Sequence, residues 1–151
     1  MTEVVVFPRF FLSYVPESAA EVVLEAIYTS TVSLIRQYKV LVTPPLNGLI
    51  LPGITRDSIL ALTKQWGKFE VREEVITMPQ VSQLLNEGRL LELFGTGTAC
   101  VVSPINRINY MGTNLYIPTM EQEKPIHETI RETLTGIQYG KIEHPWAVTI
   151  D

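Results

Sequence analysis

The feature that most constrains this chain is a repeated alternation, from Val40 onward, of short apolar runs with glycine, proline and asparagine. Residues 1–40 have a different texture, because they contain no glycine and are rich in Val, Phe, Tyr, Ser and Thr. Short apolar segments bounded by turn residues are typical of buried strands that alternate with helices. The pattern predicts an α/β fold, a mixed sheet with flanking helices, and a boundary between a segment at 1–40 and a domain at 41–151.

The composition fits one folded domain and argues against several classes of protein. The chain has 151 residues, and 46% of them are hydrophobic, which is enough to fill the core of an ordinary domain. Lys and Arg total 12 against 16 Asp and Glu, so we expect no nucleic-acid partner. Charges and prolines interrupt the apolar stretch at 4–35, so we expect no membrane span. The first residues lack a basic segment, and the expected location is cytoplasmic, or mitochondrial for a longer form.

Turn and capping residues predict the order of elements along the chain. Ser18 and Glu21 have the spacing of a capping box ahead of an apolar helical stripe, which predicts a helix at 18–38. The other predicted elements are strands at 49–51, 69–76, 90–94 and 99–102, a helix from a Thr55 cap to Trp66, a helix from the box at 77–80 to about 86–88, a hairpin of strands 106–110 and 114–117, and a helix at about 125–137.

The strand–turn–helix junction at 51–56 is a candidate anion site. The start of a helix presents unpaired backbone N–H groups and a partial positive charge, and Thr55 adds a hydroxyl. Together these groups suit a phosphate. The alternative is an ordinary connector that ends in a capped helix.

The predicted turn at 95–98, followed by Ala99, is a second candidate. Its glycines allow the backbone to approach a ligand closely, and successive N–H groups in such a turn can bind an anion. A plain tight turn between two strands is the alternative. His127 and His144 are 17 positions apart, with no cluster of Cys or carboxylate residues at ligand spacing, so no metal site is expected. Cys100 is expected to be a buried structural thiol.

The most distinctive stretches are LVTPPLNGLILPGITRDSIL (41–60), QWG (65–67), ELFGTGTACVVSPI (92–105), IPTM (117–120) and IQYGK (137–141). In this order they resemble the C-terminal part of a branched-chain amino-acid aminotransferase, a pyridoxal-phosphate enzyme of the D-amino-acid-aminotransferase fold type. The resemblance implies an incomplete large domain of that fold, and residues 1–40 show no resemblance to it.

The resemblance also implies roles for the two turns. In such enzymes the turn that matches Gly53, Ile54 and Thr55 gives its N–H groups and the Thr hydroxyl to the phosphate of the cofactor, pyridoxal phosphate. The loop that matches Thr98 adds a hydroxyl to the phosphate, and the N–H groups of Thr98 and Ala99 receive the α-carboxylate of the substrate. The implied reaction is amino transfer between Leu, Ile or Val and 2-oxoglutarate, whose amino-acid and 2-oxo-acid substrates are the implied partners.

Several parts of the family site have no match in these residues. They are the Schiff-base lysine, the phosphate-binding arginine, the carboxylate that pairs with the pyridine nitrogen, and the small domain. Since no lysine here stands in the family's catalytic context, we expect no catalytic residue and a truncated form that is inactive alone. The alternatives are a non-catalytic partner that modulates a full-length homologue, as a homodimer or heterodimer, and a fragment without function. Ser103 replaces a family cysteine, so no dithiol switch is expected.

Overall fold

The computed structural model describes residues 3–5, 31–36, 39–48, 50–97 and 101–148. Its strands are β1 (Glu3–Val5), β2 (Thr31–Arg36), β3 (Val40–Thr43), β4 (Glu70–Glu73), β5 (Leu90–Gly97), β6 (Val101–Pro104), β7 (Arg107–Tyr110) and β8 (Thr113–Tyr116). Its α-helices are α1 (Ile54–Trp66), α2 (Met78–Asn86) and α3 (Ile126–Gln138), and Pro118–Glu121 forms a turn of 3-10 helix. The predicted α/β class is confirmed. In these ranges no helix is both long and apolar enough to cross a membrane.

Two sheets organise the strands. The larger sheet has five strands in the order β4-β3-β2-β5-β6, with β3 and β4 parallel and the other pairs antiparallel. The smaller sheet has the order β1-β7-β8, with β1 parallel to β7 and β7 antiparallel to β8. The larger sheet is therefore mixed, as the sequence predicted.

The two faces of the larger sheet bury separate apolar clusters. Successive side chains of a strand point to opposite faces, so Leu41 and Val42 of β3 enter different clusters. Leu41 lies with buried residues of α1 and α3, whereas Val42 lies with buried residues of α2 and β7. The sheet is thus sandwiched between α1 and α3 on one side and α2 with the β7–β8 hairpin on the other.

Several predicted elements form where local signals placed them. The capping box at the start of α2 is complete, since the Gln80 N–H donates to Thr77 Oγ1 at 3.4 Å and the Thr77 N–H donates to Gln80 Oε1 at 2.8 Å. Gly67 ends α1 in the left-handed conformation with a φ of 61°. The hairpin turns at Met111 and Gly112, both at positive φ. These predictions, and the helix predicted at about 125–137, are confirmed.

The helix predicted at 18–38 is wrong where the structure describes it. Residues 31–36 form β2, the central strand of the larger sheet, and the rest of the predicted helix lies outside the described residues. Thr31, Val32 and Ile35 are β-branched, and such side chains favour strands. Pairing with both β3 and β5 then decides the conformation. The sheet consequently crosses the boundary predicted at residue 40.

The buried strand predicted at 49–51 is also wrong at the two positions that are described. Ile50 and Leu51 belong to no strand, and Leu51 is 69% exposed. The buried strand of this region is β3, which lies earlier and is buried at every position. The prolines that follow β3 end its ladder, so the apolar residues at 50 and 51 fall in the connection to α1.

The turn predicted at 95–98 is wrong at its three described positions. Gly95, Thr96 and Gly97 continue β5, because they pair with β6 and two of them pair with β2 as well. The strand predicted at 99–102 is accordingly found as β6 at Val101–Pro104. Two neighbouring ladders hold this glycine-containing segment extended, which the glycines alone did not indicate.

Candidate cofactor-binding site

The start of α1 contains the residues of the first predicted anion site. Gly53 is the N-cap residue, with an extended φ of −69° and ψ of 134°, and its carbonyl accepts the Asp57 N–H at 3.1 Å. Ile54 and Thr55 are therefore the first two helical residues. The predicted capping role of Thr55 is wrong, since no described side chain caps this helix and the N-cap, Gly53, stands two residues earlier than expected.

The residues at this helix start are partly open to solvent. The Gly53 N–H already donates to the Leu51 carbonyl at 2.8 Å, which leaves the N–H groups of Ile54 and Thr55 as the first donors of the helix. Ile54 is 84% exposed. Apart from Gly53 and its two chain neighbours, no described atom lies within 4 Å of the point where a Cβ on Gly53 would stand. Two N–H donors, a neighbouring hydroxyl and clear space are a donor set that fits a phosphate group.

A buried arginine lies directly beside these donors. Arg56 is only 5% exposed, and its Nη2 donates to the Pro44 carbonyl and to Glu73 Oε2, both at 2.7 Å. Lys64, at the other end of α1, brings its Nζ to 3.6 Å from Glu73 Oε1. Hydrogen bonding to Arg56, followed by the charges of Arg56 and Lys64, holds the pKa of the Glu73 carboxyl below its ordinary value.

Sequence reasoning missed this pair of Arg56 and Glu73. The two residues are 17 positions apart, so no local spacing rule connects them. One signal was present in the sequence, because a cation in the first turn of a helix opposes the helix dipole. A cation at this position predicts an acidic or carbonyl partner elsewhere in the fold.

The predicted substrate-carboxylate residues, Thr98 and Ala99, lie outside the described residues, as does Cys100. The described strand ahead of them, β5, has a defined direction relative to β3. Since β2 is antiparallel to both β3 and β5, the last two strands run in the same direction. The ends of β3 at Thr43 and of β5 at Gly97 therefore lie at the same edge of the sheet, on strands two spacings or about 10 Å apart.

Every lysine of the chain is described and exposed: Lys39, Lys64, Lys68, Lys124 and Lys141. An amine that reacts with a carbonyl group near neutral pH is normally activated by burial or by a neighbouring cation. Lys64 has a carboxylate beside it instead, and it lies nine residues beyond Thr55, or about 13 Å along the helix axis. The described geometry gives none of these side chains the environment of a reactive amine.

Fold and site together define an α/β domain in which a helix start with free backbone donors lies at one edge of a mixed sheet. Residues 19–108 match the family described as amino-transferase class IV, and the chain belongs to this family. The match begins inside the segment 1–40, so the likeness extends further toward the N-terminus than the motifs indicated. The predicted membership of the aminotransferases is confirmed.

Relatives and solved structures make the likeness specific. The chain is 51% identical over 110 residues to the cytosolic branched-chain-amino-acid aminotransferase of Rattus norvegicus, covering 73% of this chain and 27% of that protein. It is 49% identical over 106 residues to the mitochondrial enzyme of Mus musculus, covering 70% and 27%. The branched-chain amino acid aminotransferase from Escherichia coli matches with a TM-score of 0.59 and 29% identity, covering 79% of this chain and 36% of that chain.

These comparisons also show what kind of cofactor the family uses. The branched-chain amino acid aminotransferase of Thermobaculum terrenum, solved in its PLP-form, matches with a TM-score of 0.57 and 27% identity, covering 76% of this chain and 33% of that chain. Pyridoxal phosphate is thus a cofactor of this family, as expected. The chain itself spans between a quarter and a third of the length of its relatives.

Proposed function

We propose that this chain forms the phosphate-binding part of the pyridoxal phosphate site of a branched-chain amino-acid aminotransferase. The observation that carries the proposal is the start of α1, where no side-chain cap satisfies the first N–H groups, of Ile54 and Thr55, and the space beside Gly53 is clear. Membership of the class IV family and 51% identity to a branched-chain enzyme support the choice of cofactor and reaction.

In this proposal the residues of the chain bind and orient, and they do not react. Pyridoxal phosphate, when bound, supplies the aldehyde and the electron-withdrawing ring that amino transfer requires. The N–H groups of Ile54 and Thr55 and the Thr55 hydroxyl hold the phosphate, and the helix dipole adds a favourable field. Thr98 adds a second hydroxyl, while the N–H groups of Thr98 and Ala99 receive the carboxylate of Leu, Ile, Val or the matching 2-oxo acid.

Phosphate binding is tested with pyridoxal phosphate and inorganic phosphate on the purified chain, by calorimetry and by the amide shifts of Ile54 and Thr55. Thr55→Val removes a hydrogen bond to a charged group and should weaken binding about tenfold or more. Gly53→Ala places a methyl in the clear space and should weaken binding without loss of stability, since φ at Gly53 suits alanine. Thr129→Val, at an exposed site on α3, is the control. Unchanged affinity in both test variants would contradict the assignment.

We further propose that these 151 residues alone do not transaminate, a reading that the exposure of all the lysines supports. The test is an assay with leucine and 2-oxoglutarate, run beside borohydride reduction in the presence of pyridoxal phosphate and peptide mapping. We expect no turnover and only substoichiometric label spread over several exposed lysines. One stoichiometrically labelled lysine together with turnover would contradict it.

A second candidate function is association with another aminotransferase chain, as a dimer that completes or modulates the site. Its specific support is three large apolar side chains exposed beside the phosphate turn: Leu46 at 52%, Leu51 at 69% and Ile54 at 84%. Sedimentation velocity on the wild-type chain and on a Leu51→Ser, Ile54→Ser variant tests this, with co-purification against a full-length homologue. A monomeric wild type that also fails to bind the homologue would exclude it.

We also propose that the protein is located in the cytosol. Its identity is 51% to the cytosolic enzyme of Rattus norvegicus and 46% to the mitochondrial enzyme of that organism. Fractionation of cells that express the protein, with markers for both compartments, distinguishes the two locations.

A further inference from the structure

Arg56 occupies a position that helix electrostatics disfavours. It lies in the first turn of α1, where the helix dipole already places a partial positive charge. It is also 5% exposed, and burial of a guanidinium is costly unless its hydrogen bonds are made. A cation in such a place must be held by interactions that outweigh these costs.

The partners of Arg56 connect three parts of the fold. Its Nη2 reaches the Pro44 carbonyl, directly after β3, and Glu73 at the end of β4, both at 2.7 Å. One guanidinium therefore joins α1 to both strands of the parallel pair. Two buried polar atoms here, Arg56 Nε and Thr43 Oγ1, have no hydrogen-bond partner within the described part of the chain.

We propose that Arg56 is a positioning residue for the phosphate-binding turn. The inference rests on the proposed function. The residue directly follows Ile54 and Thr55, so fixing its side chain to Pro44 and Glu73 fixes the direction in which their N–H groups point. In this proposal the Glu73 carboxylate is the counter-charge that holds the Arg56 guanidinium in place.

Positioning and simple electrostatics predict opposite effects at Glu73. If charge alone mattered, Glu73→Gln would remove a negative group from the neighbourhood and strengthen the binding of an anion. If Arg56 positions the turn, Glu73→Gln loosens the guanidinium and weakens that binding. The sign of the change therefore separates the two accounts.

The experiment measures inorganic phosphate binding to the full 151-residue chain, with the amide shifts of Ile54 and Thr55 as the local readout. We expect Arg56→Gln to weaken binding about tenfold and Glu73→Gln about threefold. Arg56→Lys keeps the charge but loses the planar fork, so it should resemble Arg56→Gln. Lys64→Gln is the control, because it removes an equal charge that also faces Glu73, and it should change binding less than twofold.

The possible outcomes separate a failure of the positioning role from a failure of the phosphate site. Wild-type phosphate affinity retained in Arg56→Gln, or full affinity in Arg56→Lys, would overturn the positioning role and leave the phosphate site standing. Tighter phosphate binding in Glu73→Gln would also overturn the positioning role and leave the phosphate site standing. Absence of phosphate binding in the wild type would overturn the proposed function and this inference with it. If the Arg56 variants do not fold, Glu73→Gln decides alone, since that side chain is 39% exposed and tolerates the change.

Discussion

Glu92 and His127 form a buried pair in which Glu92 Oε2 lies 2.8 Å from the imidazole Nδ1. The two residues are 2% and 4% exposed. The same carboxylate accepts the backbone N–H groups of Ile126 at 2.7 Å and of His127 at 3.0 Å. Because no side chain of its own caps α3, the carboxylate of Glu92 on β5 takes that role and anchors the helix to the sheet.

Loss of Glu92 should destabilise the fold strongly. Glu92→Ala leaves two helix N–H groups and a buried imidazole without their acceptor, and we expect a cost of about 3–5 kcal/mol. Glu92→Gln keeps one acceptor oxygen and should cost about 1–3 kcal/mol. Urea denaturation gives both values. Glu128→Gln removes an exposed partner of Arg131 and should change stability by less than about 1 kcal/mol. Equal effects at Glu92 and Glu128 would contradict the anchoring role.

The same pair shows which parts of the fold a single sequence could predict. The capping box at Thr77 and the hairpin turn at Gly112 depend on neighbouring residues, and both were predicted at their correct positions. Glu92 and His127 are 35 positions apart, and no local spacing relates them. β2 was missed for a similar reason, since its two partner strands lie elsewhere in the chain.

In the candidate site too, the features that depend on neighbouring residues were predicted and those that depend on distant contacts were not. A Pro-Gly turn ahead of a helix predicted an anion-binding helix start, and the structure places Gly53, Ile54 and Thr55 there. The exact helix start was missed, because Gly53 and not Thr55 holds the N-cap position. The contacts of Arg56 depend on the packing of β3 and β4 against α1, which the local pattern does not contain.

The two threonines predicted as caps should respond differently to mutation. Thr77 caps α2 with its side chain, so Thr77→Ala should cost about 1 kcal/mol of folding stability. Thr55 lies inside the first turn of α1 and caps nothing, so Thr55→Ala should change stability by less than about 0.5 kcal/mol. Thermal and urea unfolding of both variants make the comparison. A larger loss at Thr55 than at Thr77 would show that α1 begins later than described.

Stability should fall in acid partly through Glu73. Its pKa in the folded chain is lower than the ordinary value of 4.5, mainly because Arg56 hydrogen-bonds the carboxylate. The stabilisation is therefore complete above about pH 4.5 and is lost as the pH falls through the folded pKa. Since the side chain is 39% exposed, solvent screening limits the contribution to about 1 kcal/mol or less.

The measurement is the unfolding free energy between pH 7 and pH 2 for the wild type, Glu73→Gln and Lys64→Gln. Glu73→Gln should remove part of the acid-dependent loss. Lys64→Gln should retain most of it, because the Lys64 Nζ is 3.6 Å from the carboxylate and contributes less than Arg56. Identical pH profiles for the wild type and Glu73→Gln would exclude a stabilising ion pair at this position.

Thr119 offers a test of how the strand that leads toward Thr98 is held. Its Oγ1 is fully buried, accepts the Leu93 N–H at 3.0 Å and donates to the Ile105 carbonyl at 2.6 Å. One hydroxyl thus joins the 3-10 turn to β5 and to the residue after β6. Thr119→Val preserves the shape but leaves the Leu93 N–H buried without an acceptor, and we expect a cost of about 1–3 kcal/mol.

Thr119→Ser keeps the hydroxyl and loses one methyl, so it should recover part of the stability that Thr119→Val loses. Thr133→Val on α3 is the matched control, because its hydroxyl donates only to the Thr129 carbonyl at 2.8 Å, within the same helix. That variant should stay within about 0.5 kcal/mol of the wild type, since a backbone carbonyl keeps its helical partner when the hydroxyl is removed. Urea unfolding distinguishes the three variants, and slower hydrogen exchange of the Leu93 amide in Thr119→Ser than in Thr119→Val identifies the bond responsible. Equal stability of Thr119→Val and Thr133→Val would mean that the buried hydroxyl does not secure β5.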